Sequence, residues 1–318
     1  MSERLILSID GGGIRGIIPA RVLQHIESLA GCSIASGFDL MAGTSTGGLL
    51  ALGLATSSHR LTSRIDELVT LYLERGARIF DANLWRRLRS ANGLLDERYP
   101  HQSLESELRD FFGDQVLGDA AVATMVPAYA LEQRKTLFLK TWHPRHAQVP
   151  VWQAARATAA APTYFEPMEL TVDGEAQALI DGGIFMNSPA VSAYAEALKR
   201  FPGDSLSVLS LGTGELTRPI HFEDARHWGK VGWVRPLIDC MFDGIAEAAD
   251  YQMRLLLGAR YQRLQLSLQR PSDDLDDASA DNLSLLMDSA DQLIETHASL
   301  LQQWAKKLRA SAELRERH

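Results

Sequence analysis

The chain has 318 residues, 46% of them apolar and 23% charged, with two cysteines, a composition that excludes disordered, collagenous and disulfide-stapled chains and leaves room for a large core. The 32 basic and 40 acidic side chains give a net charge of −8, which argues against duplex nucleic acid as the partner. No apolar run approaches the roughly 20 residues a bilayer requires, and residues 5–9 are too short a run for a signal peptide, so the expected location is cytoplasmic.

Strand-like and helix-like segments alternate, the pattern of an α/β layer fold with a largely parallel sheet. Residues 5–9 read as a buried strand that meets Gly11, Gly12 and Gly13, then a helix carrying Val22, Leu23, Ile26 and Leu29 on one face. Residues 38–42 form a second short strand, ending at Gly43-Thr44-Ser45-Thr46-Gly47 before an apolar helix. Both junctions have the form strand, glycine turn, helix. The spacing predicts amphipathic helices over 63–80 and over 104–112, the latter stopped by Gly113. Strands are expected at 124–130, 136–141, 178–180 and 207–211, with an alanine-rich helix over 151–161. Leu286, Ala290, Leu293, His297, Leu300, Leu301, Trp304 and Leu308 step by three and four, which predicts one long C-terminal helix. The acidic run 273–277 lacks the glycine and spacing of a calcium loop and reads as a solvated loop.

Gly43-x-Ser45-x-Gly47 has the form of a nucleophile elbow, where small flanking residues permit a sharp strand-to-helix turn that projects a serine hydroxyl. The alternative is a glycine turn whose serine caps the helix. Gly11-x-Gly13-x-x-Gly16 also matches a dinucleotide fingerprint, but the acid such a unit needs about 20 residues on has only Glu27, inside the first helix, or Asp39, at the start of the second strand. The same glycines can instead present backbone N–H groups to an oxyanion. Arg15 either steadies that loop or meets an anionic head group. For a base, His221, His227 and His297 follow Ser45 and Asp181 in the Ser, Asp, His order of α/β-hydrolases, yet none sits in a turn shaped for chemistry. Asp181 directly follows a strand and precedes Gly182 and Gly183, so it either forms an Asp-Gly turn or takes the serine proton itself.

Asp10-Gly11-Gly12-Gly13-Ile14-Arg15-Gly16, Gly43-Thr44-Ser45-Thr46-Gly47 and Asp181-Gly182-Gly183, in that order, resemble the three signature blocks of patatin-like phospholipases. Residues 155–165, 211–214 and 228–233 also resemble family segments, so the likeness spans about residues 4–260. The resemblance implies an α/β three-layer fold with a central, mostly parallel sheet flanked by helices, a single domain with its catalytic core over about 4–215, and a helical C-terminal region over about 216–318. It implies Ser45 as nucleophile, Asp181 as base and the backbone of Gly11, Gly12 and Gly13 as oxyanion hole, with no metal and no cofactor. Phospholipid is then the expected substrate, met by transient contact with a membrane surface. The basic and aromatic residues Arg75, Arg78, Phe80, Trp85, Arg86, Arg87, Arg89 and Arg98 suit such a surface or a phosphorylated ligand, or belong to a solvated helix and loop. The chain further resembles phospholipase effectors that cyclic nucleotides switch on in antiphage defence, which implies a nucleotide activator.

Overall fold

The computed structural model describes residues 2–56, 63–79, 101–172, 174–215, 218–272 and 274–316. An eight-stranded mixed sheet runs through the molecule, formed by β1 (Glu3–Ile9), β2 (Leu40–Gly43), β3 (Ala123–Ala130), β4 (Lys135–Lys140), β5 (Met168–Val172), β6 (Glu175–Asp181), β7 (Ser205–Leu211) and β8 (Tyr261–Leu264). Its order is β5-β6-β3-β2-β1-β7-β8, with β4 pairing separately to β3. The block from β3 through β2, β1 and β7 to β8 is parallel, whereas β4, β5 and β6 join antiparallel. The parallel strands read as continuous apolar runs because helices cover both faces. On one side α1 (Ile17–Ala30) buries Val22, Leu23 and Ile26. Behind it lie α2 (Thr46–Ala55), buried along its whole length, and the C-terminal helices. On the other side α6 (Ala190–Arg200) and α7 (Lys230–Leu257) pack over Ile6, Leu40, Val208 and Tyr261. Between them in sequence come α3 (Ile65–Thr70), α4 (His101–Phe112) and α5 (Val151–Thr158).

One arrangement in the sheet positions the site. Ala128 of β3 faces both Leu137 of β4 and Asp181 of β6, and Met125 faces both Lys140 of β4 and Ala42 of β2. A strand has two edges, so β4 holds one edge of β3 while β2 and β6 share the other. β2 runs parallel to β3 along residues 123–125, and β6 runs antiparallel along residues 128–130. Their carboxyl ends therefore point at each other across Pro127.

Three expectations need correction. The long C-terminal helix is two helices, α8 (Ala280–Thr296) and α9 (Ala298–Glu316), separated at His297, whose φ of −111° and ψ of 20° leave the helical region. Apolar spacing carries across the break because both helices pack against α1 and bury their apolar residues in one core. The helix read over 63–80 contains a π-helical turn, Leu71–Arg75, between α3 and the short helix Gly76–Ile79. The acidic run is not merely solvated either. The Leu275 carbonyl accepts the Ile14 N–H at 2.9 Å, and Asp276 is buried. Within the basic and aromatic stretch, Arg75 pairs with Glu107 at 3.1 Å; Phe80, Trp85, Arg86, Arg87, Arg89 and Arg98 lie outside the described residues. Among the described residues, no helix is long and apolar enough to cross a membrane.

Candidate active site

Ser45 stands at the turn from β2 into α2 with φ 53° and ψ −122°, a left-handed conformation that costs a non-glycine residue energy and persists only where its surroundings enforce it. The surroundings are the flanking glycines. A Cβ on Gly43 would collide with the Gly47 carbonyl, and one on Gly47 with the carbonyls of Ile9 and Asp10. The serine is the N-cap of α2 by position, but its hydroxyl makes no capping bond, which leaves it to face the cavity at the positive end of the helix. Its backbone N–H donates to the Thr158 hydroxyl at 3.2 Å, and that hydroxyl donates to the Pro127 carbonyl at 2.6 Å. Thr158 thus fills the gap where β2 and β6 leave β3 without a partner.

Asp181 ends β6 on the far side of that gap, with 1% of its surface exposed. Burial raises its pKa to about 7, against the opposing pull of hydrogen bonding from the Ser45 hydroxyl and from the Gly183 N–H, which donates to Oδ1 at 2.7 Å. Gly182 lies against the ring of Pro127, and Gly183 supplies the N–H that holds the carboxylate. The pair has the properties of a poised base and its proton donor: a carboxylate close to neutrality in its titration, held against a hydroxyl at a strained turn.

Of the three loop glycines, Gly11 has its N–H committed to the Asn187 carbonyl at 3.0 Å and its carbonyl to the Thr213 hydroxyl at 2.7 Å. Ile14 donates to Leu275 and Arg15 to Gly12. The N–H groups of Gly12 and Gly13 make no such bond among the described residues, and both glycines line the cavity with Ser45 and Asp181. Arg15 is buried, and its Nε donates to the Gly12 carbonyl at 3.3 Å, the position of a loop support rather than of a head-group contact. A side chain on Gly16 would displace the hydroxyls of Thr46 and Tyr72, which hydrogen-bond to each other beneath the elbow. Below the loop, Asp10 and Arg263 form a buried ion pair at 2.6 Å.

The cavity over Ser45 is apolar. Leu49, Leu71, Ile79, Leu104, Phe165 and Phe242 are among its walls, and it encloses about 780 Å³ including its mouth. Its apolar lining suits a hydrocarbon chain, and Ser45 is part of its wall. The residues that sequence reasoning missed are Thr158, hidden in an alanine-rich helix, Asn187 and Thr213, which hold the loop, and Tyr72, brought in by the π-helical turn.

His221 and His227 are exposed, and half-buried His297 turns its Nδ1 to the Leu293 carbonyl. Among the described residues no histidine lines the cavity. The dinucleotide reading loses both candidate acids. Glu27 accepts the Ile34 N–H, and Asp39 accepts the Leu5 N–H and pairs with Arg4 and Arg315 at the opposite end of the strands from the glycine loop.

A family model described as patatin-like phospholipase matches residues 7–194. Patatin-like protein 2 of Arabidopsis thaliana is 28% identical over 91% of this chain and 82% of its own length. Patatin-12 of Solanum tuberosum is 27% identical over 98% of this chain and 91% of its own. Among solved structures, human GIVD cytosolic phospholipase A2 aligns with a TM-score of 0.51 at 11% identity over 97% of this chain. This chain spans about 60% of that enzyme's length, and the likeness is one of fold.

Proposed function

The chain belongs to the patatin-like phospholipase family of lipid acyl hydrolases, and on that premise we propose that it cleaves fatty-acyl esters of phospholipids with Ser45 as nucleophile and Asp181 as its base. The observation that supports this most is the meeting of β2 and β6 end to end on one edge of β3, with a strained serine and a buried carboxylate at the two ends and an apolar cavity above them.

In this reading the acyl chain lies among Leu49, Leu71, Leu104 and Phe165. Ser45 Oγ attacks the ester carbonyl while its proton passes to Asp181. The N–H groups of Gly12 and Gly13 receive the developing oxyanion. Asp181 then returns the proton to the departing alcohol of the lysolipid, and the acyl group stays on Ser45. Water attacks that ester, Asp181 takes the water's proton, and fatty acid leaves as the serine recovers its hydrogen. A base near pH 7 suits both halves, since it accepts a proton and gives it back with little driving force lost in either direction. The fold, with its helix-buried sheet core, acts here as a single domain over the whole chain.

The test is mass spectrometry of phospholipid vesicles incubated with the protein. Equimolar lysolipid and free fatty acid, absent with Ser45→Ala, support the reading. Intact lipid with a folded wild-type protein contradicts it.

A further inference from the structure

α7 is apolar on two opposite sides. Ala246, Ala249, Met253 and Leu257 turn inward and are buried, and Phe242 reaches the wall of the catalytic cavity. A helix apolar all round belongs in an interior, yet the outer side of α7 faces solvent. Trp233, Leu237, Met241, Tyr251 and Leu255 are each 40–70% exposed. With Cys240, Gly244 and Ala248, also exposed, they follow one another at intervals of three and four, which lines them up along one face. No charged residue falls on this stripe. Asp239, Asp243, Glu247, Asp250 and Arg254 step by three and four as well, but along one flank, where Asp243, Glu247 and Asp250 border a groove with Arg15 and Arg263.

At 1.5 Å per residue the stripe is about 33 Å long, and with a width of about 10 Å it offers roughly 330 Å². Uncharged apolar surface of that extent marks contact with another molecule. The order of side-chain sizes says which. Large residues stand at both ends, Trp233 with Leu237 and Tyr251 with Leu255, while the small Cys240, Gly244 and Ala248 occupy the middle. Counted from Gly244 the spacing is the same in both directions, with Cys240 and Ala248 at four residues, Leu237 and Tyr251 at seven, and Trp233 and Leu255 at eleven. A twofold axis through Gly244 therefore lays the stripe on an antiparallel copy of itself, with large residues opposite large ones and small opposite small.

Gly244 adds a separate reason. A glycine inside an exposed helix costs about 1 kcal/mol against alanine. Among the described residues nothing lies within 4 Å of where its Cβ would stand, so no contact within the chain calls for glycine there. Close approach of a second backbone does. We infer that this chain self-associates through α7, as an antiparallel helix pair with twofold symmetry centred on Gly244. A lipid surface fits less well, because helices that lie on membranes carry basic residues beside the apolar face, and here the flank carries four carboxylates. Two such stripes fall short of the roughly 1,200 Å² of a standard interface, so the pair is reversible rather than obligate. The inference is independent of the phospholipase reading.

Sedimentation velocity of the full chain under reducing conditions, between about 1 and 100 µM, should show monomer giving way to dimer. Leu237→Glu, at an exposed position whose replacement leaves thermal unfolding unchanged, should weaken the dimer at least about tenfold by burying a carboxylate against Tyr251 of the second copy. Leu237→Glu/Tyr251→Lys should restore it, because the antiparallel register sets each new carboxylate against a new ammonium group. Those two positions are about 21 Å apart along one helix, so the rescue cannot arise within a single chain. A protein that is monomeric throughout the range overturns the inference, as does a dimer that Leu237→Glu leaves intact or one that the double variant fails to restore. Monomer that floats with phosphatidylcholine vesicles in the Ser45→Ala background, and loses flotation with Leu237→Glu, would overturn it in favour of a lipid surface.

Discussion

Asp181→Asn separates the cost of the buried carboxylate from its use. Burial lifts this group from 3.8 to about 7, so between about pH 4 and pH 7 the native protein holds a proton that the unfolded chain has released. Stability therefore falls as pH rises through that window, and the loss is complete above about pH 7. A rise of that size corresponds to about 4 kcal/mol, at roughly 1.4 kcal/mol for each tenfold change in the protonation equilibrium. Asparagine keeps the shape, can accept the Gly183 N–H through its own oxygen, and carries no charge to desolvate. The variant should thus be more stable than the parent at pH 8 by up to about 4 kcal/mol, or roughly 8 °C in melting temperature. At pH 5, where the native Asp181 is protonated but the unfolded carboxyl is still ionised, the difference should shrink to about 2 kcal/mol, and it should vanish below about pH 4. Activity should fall about 10²- to 10⁴-fold, the usual worth of a general base. Differential scanning calorimetry at the two pH values, with ester hydrolysis on the same samples, reads both effects. A stability difference between variant and parent that is the same at both pH values would refute the desolvation argument, and a variant that retains turnover would refute the assignment of the base.

Three further outcomes follow from the same geometry. In the wild type kcat/KM should rise about tenfold per pH unit below neutrality and level off above an apparent pKa of about 7, because Asp181 acts only when ionised; a flat profile between pH 5 and pH 8 contradicts this. Gly12→Ala forces a methyl into the Thr213 side chain, tilting the loop N–H groups, and should slow hydrolysis about 10²- to 10³-fold with the protein still folded, as steady-state kinetics and circular dichroism together would show. Arg263→Met strands the Asp10 carboxylate in the interior and should cost about 3–5 kcal/mol in denaturant unfolding; a loss below 1 kcal/mol would mean that the pair is solvated.

The legible part of this molecule is the part whose physics is local. Gly43, Ser45 and Gly47 announce an elbow because the collisions that demand glycine lie within five residues of chain or on the adjoining strand. The strand that ends at Asp181 is equally plain in the sequence, but nothing local says that β6 enters the sheet antiparallel and shares an edge of β3 with β2. That register is what brings the carboxylate to the serine; its position after a strand left Asp181 open as a turn residue or a base, and the resemblance to known blocks favoured the base. Thr158 shows the same limit, since a threonine in an alanine-rich helix carries no sign that two strand ends leave a carbonyl for it. Gly11 was expected to serve the oxyanion with its neighbours, yet its N–H is consumed by Asn187, a residue 176 positions away in the chain. The break at His297 escaped because helical spacing records which face is buried and not whether the backbone is continuous.

The most direct measurement of the central claim is covalent. Treatment with a long-chain fluorophosphonate followed by peptide mass spectrometry should give one adduct per chain, on Ser45, formed faster as pH rises through 7 and abolished by Ser45→Ala and by prior boiling. A stable adduct on a different serine, or no adduct on a protein that still hydrolyses phospholipid, would contradict the account.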